Sequence, residues 1–119
     1  MTTQEIANRL VEICRSGEWE KAQRELYADD AISKEPYATP EFEKETKGLK
    51  AILDKGRKFD SMIDTVHSLS VSDPIVAENS FACILDMDIS MKQKGRMQMK
   101  ELCIYKVKDG KIIEEEFVV

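Results

Sequence analysis

Apolar residues change their spacing once along this chain, near Ile63, and that change sets the fold class. Before it they recur at helical intervals: Ile6, Leu10, Ile13 and Cys14, then Trp19, Ala22 and Leu26, then Leu49, Ile52, Leu53 and Phe59. After it they alternate. Phe81, Cys83, Leu85, Met87, Ile89 and Met91 fall on one face of a strand, with Ala82, Ile84, Asp86, Asp88 and Ser90 on the other. Helices first and strands afterwards predict an α+β domain, with three N-terminal helices packed on an antiparallel sheet. A length of 119 residues fits one domain, 1–119, with a modest core.

Local signals place the boundaries. Thr2 and Glu5 have capping-box spacing, and Gly17 stops the first helix. A second helix runs from about Glu18 to Leu26 and a short strand from Ala31 to Lys34. Glu35–Lys47 is polar, holds Pro36 and Pro40, and forms the longest irregular segment, with at most a one-turn helix capped by Thr39. Such a segment either covers a pocket or simply connects elements. A third helix is predicted over Lys47–Asp60. From Ile63 a strand follows, with Thr65, His67, Leu69 and Val71 on one face.

The last strands meet at Val107-Lys108-Asp109-Gly110-Lys111, a hairpin signal that permits two registers. A two-residue loop pairs Val107 with Ile112. A three-residue loop with left-handed Gly110 pairs Val107 with Lys111 and Tyr105 with Ile113. The second is preferred because it gathers Tyr105, Cys103, Glu101, Met99 and Met97 with Ile113, Glu115, Phe117 and Val119 on the inward face. Leu102, Ile104, Ile112 and Val118 then fall on the outer face, where Ile84 lies opposite Ile104. Pairing Met91 with Met97 across the preceding turn sets Met87 against Glu101 and Asp88 against Lys100.

Charge and cysteine usage narrow the partners. A net charge of −5 and a pI near 5.0 argue against nucleic acid and anionic membrane surfaces. No apolar run approaches the roughly 20 residues needed to span a bilayer, and the N-terminus lacks signal-peptide features. Three widely spaced cysteines suit reduced thiols in a cytoplasmic protein, and one histidine without paired cysteines makes a zinc site an unsuitable reading. No metal or other cofactor is expected.

Several stretches together resemble the SnoaL-like group of the nuclear transport factor 2-like (ketosteroid isomerase-like) superfamily. They are the two N-terminal helices, Leu26-Tyr27-Ala28-Asp29-Asp30-Ala31, Gly48-Leu49-Lys50-Ala51-Ile52, and the Val107-Lys108-Asp109-Gly110-Lys111-Ile112 hairpin. The resemblance spans the whole chain and implies a curved, cone-shaped (cystatin-like) sheet folded around three helices, a pocket inside, and a homodimer. It also implies a group whose enzymes include ketosteroid isomerase, polyketide cyclases and dehydratases and which contains members without a known activity. No catalytic position transfers residue by residue.

The inward face is apolar except for His67, Glu101, Tyr105 and Glu115. In the preferred register Glu101 and Glu115 are diagonal neighbours, so one of them should titrate high, as a general base or acid near neutrality requires. His67 is a further base candidate and Tyr105 an oxyanion donor. The structural alternative is that the glutamates bond helix ends or lysines and that His67 is a hydrogen-bonded core or rim residue. Glu35 is placed at the pocket mouth, and Met87, Met97, Met99 and Phe117 line the ligand's side, although the methionines equally suit core filling. Asp86 and Asp88 face away from the pocket. The expected function is binding of a small apolar organic molecule, with proton transfer on a carbonyl compound if the protein is an enzyme. The alternative is a non-catalytic binding or dimerisation module.

Overall fold

A computed structural model describes residues 1–119. Its helices are α1 (Thr3–Cys14), α2 (Trp19–Leu26) and α3 (Leu49–Met62). Its strands are β1 (Tyr27–Lys34), β2 (Glu45–Lys47), β3 (Ile63–Val71), β4 (Ile75–Val76), β5 (Ser80–Met91), β6 (Gly95–Lys108) and β7 (Lys111–Val118). The change of period at Ile63 is the α3–β3 junction. Thr2 caps α1 through the predicted box: its hydroxyl accepts from the Glu5 N–H at 3.1 Å, and the Glu5 carboxylate accepts from the Thr2 N–H at 2.8 Å.

The strands form one curved sheet in the order β2-β1-β7-β6-β5-β3, with β4 added against β5. The helices lie on its inner face. Ile6, Leu10, Leu26 and Ile52 meet Phe81, Cys83, Cys103, Tyr105 and Ile112 there in the main core, and Met87, Ile89 and Met91 form a smaller one. This is the expected α+β cone. It departs from a purely antiparallel sheet at one seam, where β1 runs parallel to β7 with Ser33 beside Glu115. Parallel neighbours need a long crossover, and here everything between β1 and β7 supplies it. β2, within the segment read as irregular, pairs with β1, and no helix forms at Pro40.

Three registers differ from expectation. The final hairpin has the two-residue loop: Val107 pairs with Ile112, and Asp109 and Gly110 both have positive φ, at 51° and 75°. Ile113 is then an extra residue on β7, after which Lys106 pairs with Glu114, Tyr105 with Glu115, and Cys103 with Phe117. The loop was misread, but the bulge restores the predicted inward set of Glu115 and Phe117. It also turns Ile112 into the core, fully buried, where an outer position was expected.

At the other turn Met91 pairs with Gly95, so Met87 meets Met99, Leu85 meets Glu101 and Asp86 meets Lys100. These pairs are displaced by two residues from the expected ones, which leaves every face unchanged. The third difference is in β3. Its pairing with β5 slips by one residue between Val66 and Ser68. His67 sits in this bulge and lies on the outer face, its Nε2 2.7 Å from Ser90 Oγ. The inward placement of His67 is therefore corrected. Only Leu69 and Val71 of its predicted face pack against the core.

Candidate functional site

The cone encloses a cavity of about 670 Å³ whose walls are mainly hydrophobic. Met87, Met97, Met99 and Phe117 line it as predicted, and so do Glu35, Glu101, Tyr105 and Glu115. His67 takes no part. Pro36, Tyr37, Thr39, Glu41 and Phe42 also line it, so the irregular segment after β1 contributes to the wall. This segment is fastened at Glu41, whose carboxylate meets Lys94 at 3.1 Å and whose carbonyl accepts from Lys58.

Glu115 sits at the closed end, 2% exposed. The parallel β1–β7 seam brings Ser33 beside it, and Ser33 donates to its Oε2 at 2.5 Å. Tyr27, at the start of β1, donates to its Oε1. Lys55 reaches in from α3, donating to Ser33 Oγ at 2.6 Å and to Glu35 Oε1 at 3.0 Å. Burial pushes the Glu115 carboxyl up, and the Lys55 charge and the two hydroxyls pull against it. With both oxygens satisfied, Glu115 ties β1, β7 and, through Ser33 and Lys55, α3 into one polar joint.

Glu101 is in the opposite condition. It points inward from β6 opposite Leu85, and its carboxyl makes no hydrogen bond or ion pair. Burial, then the charge of Glu35, pushes its carboxyl up to about 7, while Lys55 opposes the shift. The register separates the two glutamates. Tyr105 opposes Glu115, so Glu101 stands four residues further along β6, on the order of 13 Å at about 3.3 Å per residue. They are not the diagonal neighbours expected, and the Cys103–Phe117 pair lies between them. Glu101 is raised by desolvation first, then by the charge of Glu35, with a smaller push from the charge of Glu115.

Tyr105 lies at the Glu115 end, stacked on Phe81 with ring centroids 4.8 Å apart, and burial holds its hydroxyl well above the usual range. Cys83 and Cys103 are buried cross-strand partners, and all three cysteines are free. No group of three histidine, cysteine, aspartate or glutamate side chains has a metal-holding arrangement.

Sequence reasoning missed Tyr27, Ser33 and Lys55. The signal for Lys55 was present: it shares helical spacing with Ile52 and Phe59 and so belongs to the apolar side of α3. Ser33 alternates with Ala31 and Glu35 and shares their inward parity. Tyr27 gave no signal, because its role depends on the parallel seam.

The family model for a SnoaL-like domain matches residues 1–119. The chain belongs to the SnoaL-like family. Among solved structures it is similar to a Mesorhizobium loti protein described provisionally as a SnoaL-like polyketide cyclase. The two share 33% identity over 100% of both chains, with a TM-score of 0.93. A Catenulispora acidiphila protein with a ketosteroid isomerase-like fold, solved with trimethylamine, has 14% identity over 99% of this chain and 87% of its own, with a TM-score of 0.73. IdmH of Streptomyces antibioticus, described provisionally as a polyketide cyclase, has 21% identity over 99% and 91%, with a TM-score of 0.72. These last two show the shared fold. No curated protein matches the chain.

Proposed function

We propose that this protein binds a small, largely apolar organic molecule in its cone and moves a proton on it, with Glu101 as the base. The observation that carries this reading is the Glu101 carboxyl itself, unpaired on the wall of an apolar cavity and poised near neutrality. A carboxylate there removes a proton from carbon next to a carbonyl, the step common to isomerisation, cyclisation and dehydration. Glu115 braces the site, Glu35 tunes Glu101, and Met87, Met97, Met99 and Phe117 shape the apolar wall. Tyr105 remains the hydroxyl donor candidate at the closed end. The cyclase description of the Mesorhizobium loti protein supports the same chemistry, and the Catenulispora acidiphila complex shows a protein of this fold with a small organic molecule bound.

The test is deuterium uptake by 1-phenyl-1,3-butanedione in D2O, followed by NMR. The wild-type protein should accelerate uptake, with a rate that rises as pH passes through about 7. Glu101→Gln should lose roughly a hundred-fold or more. A variant as fast as wild type would refute the assignment of Glu101.

We also propose a homodimer joined through the outer sheet face. Ile84, Leu102 and Val118 are adjacent across β5, β6 and β7 and are 42%, 40% and 38% exposed. A contiguous apolar row of this kind suits a self-complementary interface. Free thiols and acidic balance support a cytoplasmic protein without a nucleic-acid partner.

A further inference from the structure

We infer that Lys55 is the group that meets the negative charge on the substrate oxygen when Glu101 removes the proton. The inference rests on the reading of Glu101 as base and names the group that reading lacks.

An enolate forming in an apolar cavity needs a donor or a cation at its oxygen. Lys55 fits by position. Its side chain is only 14% exposed. Its ammonium has three N–H donors. Ser33 takes one and Glu35 another, and the third has no acceptor in the protein. The ammonium stands 5.6 Å above the Phe117 ring. Phe117 pairs with Cys103, two residues along the same inward face from Glu101. Cation and base therefore flank one aromatic surface, and the Lys55 charge reaches Glu101 directly.

The competing groups are engaged, exposed or further from Glu101. Lys58 and Lys94 are committed to Glu41. Lys100 also lines the cavity, but it is exposed to solvent where Lys55 is nearly buried. Tyr105 stands beside Glu115 rather than Glu101. The substrate this geometry takes is a ketone or 1,3-diketone with an apolar remainder, its carbonyl oxygen toward Lys55 and its acidic carbon toward Glu101.

The step balances without any other reactant. The C–H bond breaks and an O–H bond forms on Glu101. The C–H electron pair becomes the new C–C π bond, and the carbonyl π pair moves onto oxygen. Lys55 donates a hydrogen bond to that oxygen and keeps its proton. The proton on Glu101 exchanges with solvent and returns to carbon, so D2O leaves a deuteron behind.

The experiment uses the same diketone with Lys55→Met, Lys55→Arg, Tyr105→Phe and Glu101→Gln, each checked for folding by circular dichroism. Lys55→Met should lower the saturating exchange rate roughly a hundred-fold with a smaller change in KM. It should also remove the enolate absorbance of the bound diketone. Lys55→Arg should restore most of both. Exchange that survives Lys55→Met but not Glu101→Gln overturns this inference and leaves the base intact. A folded Lys55→Arg that restores neither signal overturns it too, as does a loss confined to Tyr105→Phe. If Lys55→Met does not fold, the Lys55→Arg and Tyr105→Phe arms decide. Exchange that survives Glu101→Gln, or none with wild type, overturns both readings.

Discussion

Glu101 and Glu115 share one face of one sheet, yet Glu115 accepts two hydroxyl hydrogen bonds and Glu101 accepts none. That difference gives Glu101 a stability signature. Its folded-state value lies near 7, above its unfolded value of about 4.5. Between these values the folded state binds more protons than the unfolded state, so this group makes stability fall as pH rises through the window. Glu101→Gln should therefore stabilise the protein at pH 8, by on the order of 1–2 kcal/mol once partial solvent screening is allowed for. It should change little at pH 4. Denaturant unfolding at the two pH values checks this. At this scale alternation sufficed to find both carboxyls, because period 2 fixes facing whatever the partner. It did not reveal that Lys55 reaches both, since that depends on where α3 lies over the sheet.

Two bulges decide which side chains the sheet presents. Without the extra residue at Ile113, the two-residue hairpin would turn Glu115 and Phe117 outward. With it, Ile112 and Glu115 both face in. The slip at His67 has the reverse outcome and removes that ring from the cavity. Displacements by two residues, as between β5 and β6, leave a sequence reading of faces intact, whereas displacements by one do not. Nothing local in Val66-His67-Ser68 marks a bulge. It shows only in how β3 pairs with β5, so His67 was misplaced by a tertiary effect. The hairpin turn, by contrast, is local chemistry, and Gly110 is left-handed as expected, at φ 75°. Gly110→Ala should lower stability by about 1 kcal/mol, read as a lower urea midpoint with an unchanged m-value. An unchanged midpoint would show the turn relaxing to another form.

For the whole molecule, the α+β cone followed from the order of helical and alternating segments together with the family resemblance. The parallel β1–β7 seam did not, because pairing between distant strands leaves no periodic trace. The outer face carries the prediction at this scale. Leu102 stands at the centre of the apolar row, and the ion pairs Lys106–Glu114 and Asp88–Arg96 lie on the same face. Leu102→Glu should convert the proposed dimer to monomer in sedimentation equilibrium at micromolar concentration. A wild-type protein that is already monomeric there would refute the interface.

The seam between β1 and β7 also governs when the cavity becomes usable. Tyr27 and Glu115 are 88 positions apart, and Ser33 and Glu115 are 82 apart. During synthesis the three helices, β1 and Lys55 are made long before the carboxylate that joins them. Contacts of such wide sequence separation are slow to close. Until β7 docks, β1 keeps an open edge and Ser33 and Tyr27 lack their shared acceptor. The polar end of the cavity thus matures in the same event that completes the sheet, and a partly folded chain offers an apolar hollow whose closed end is not yet braced.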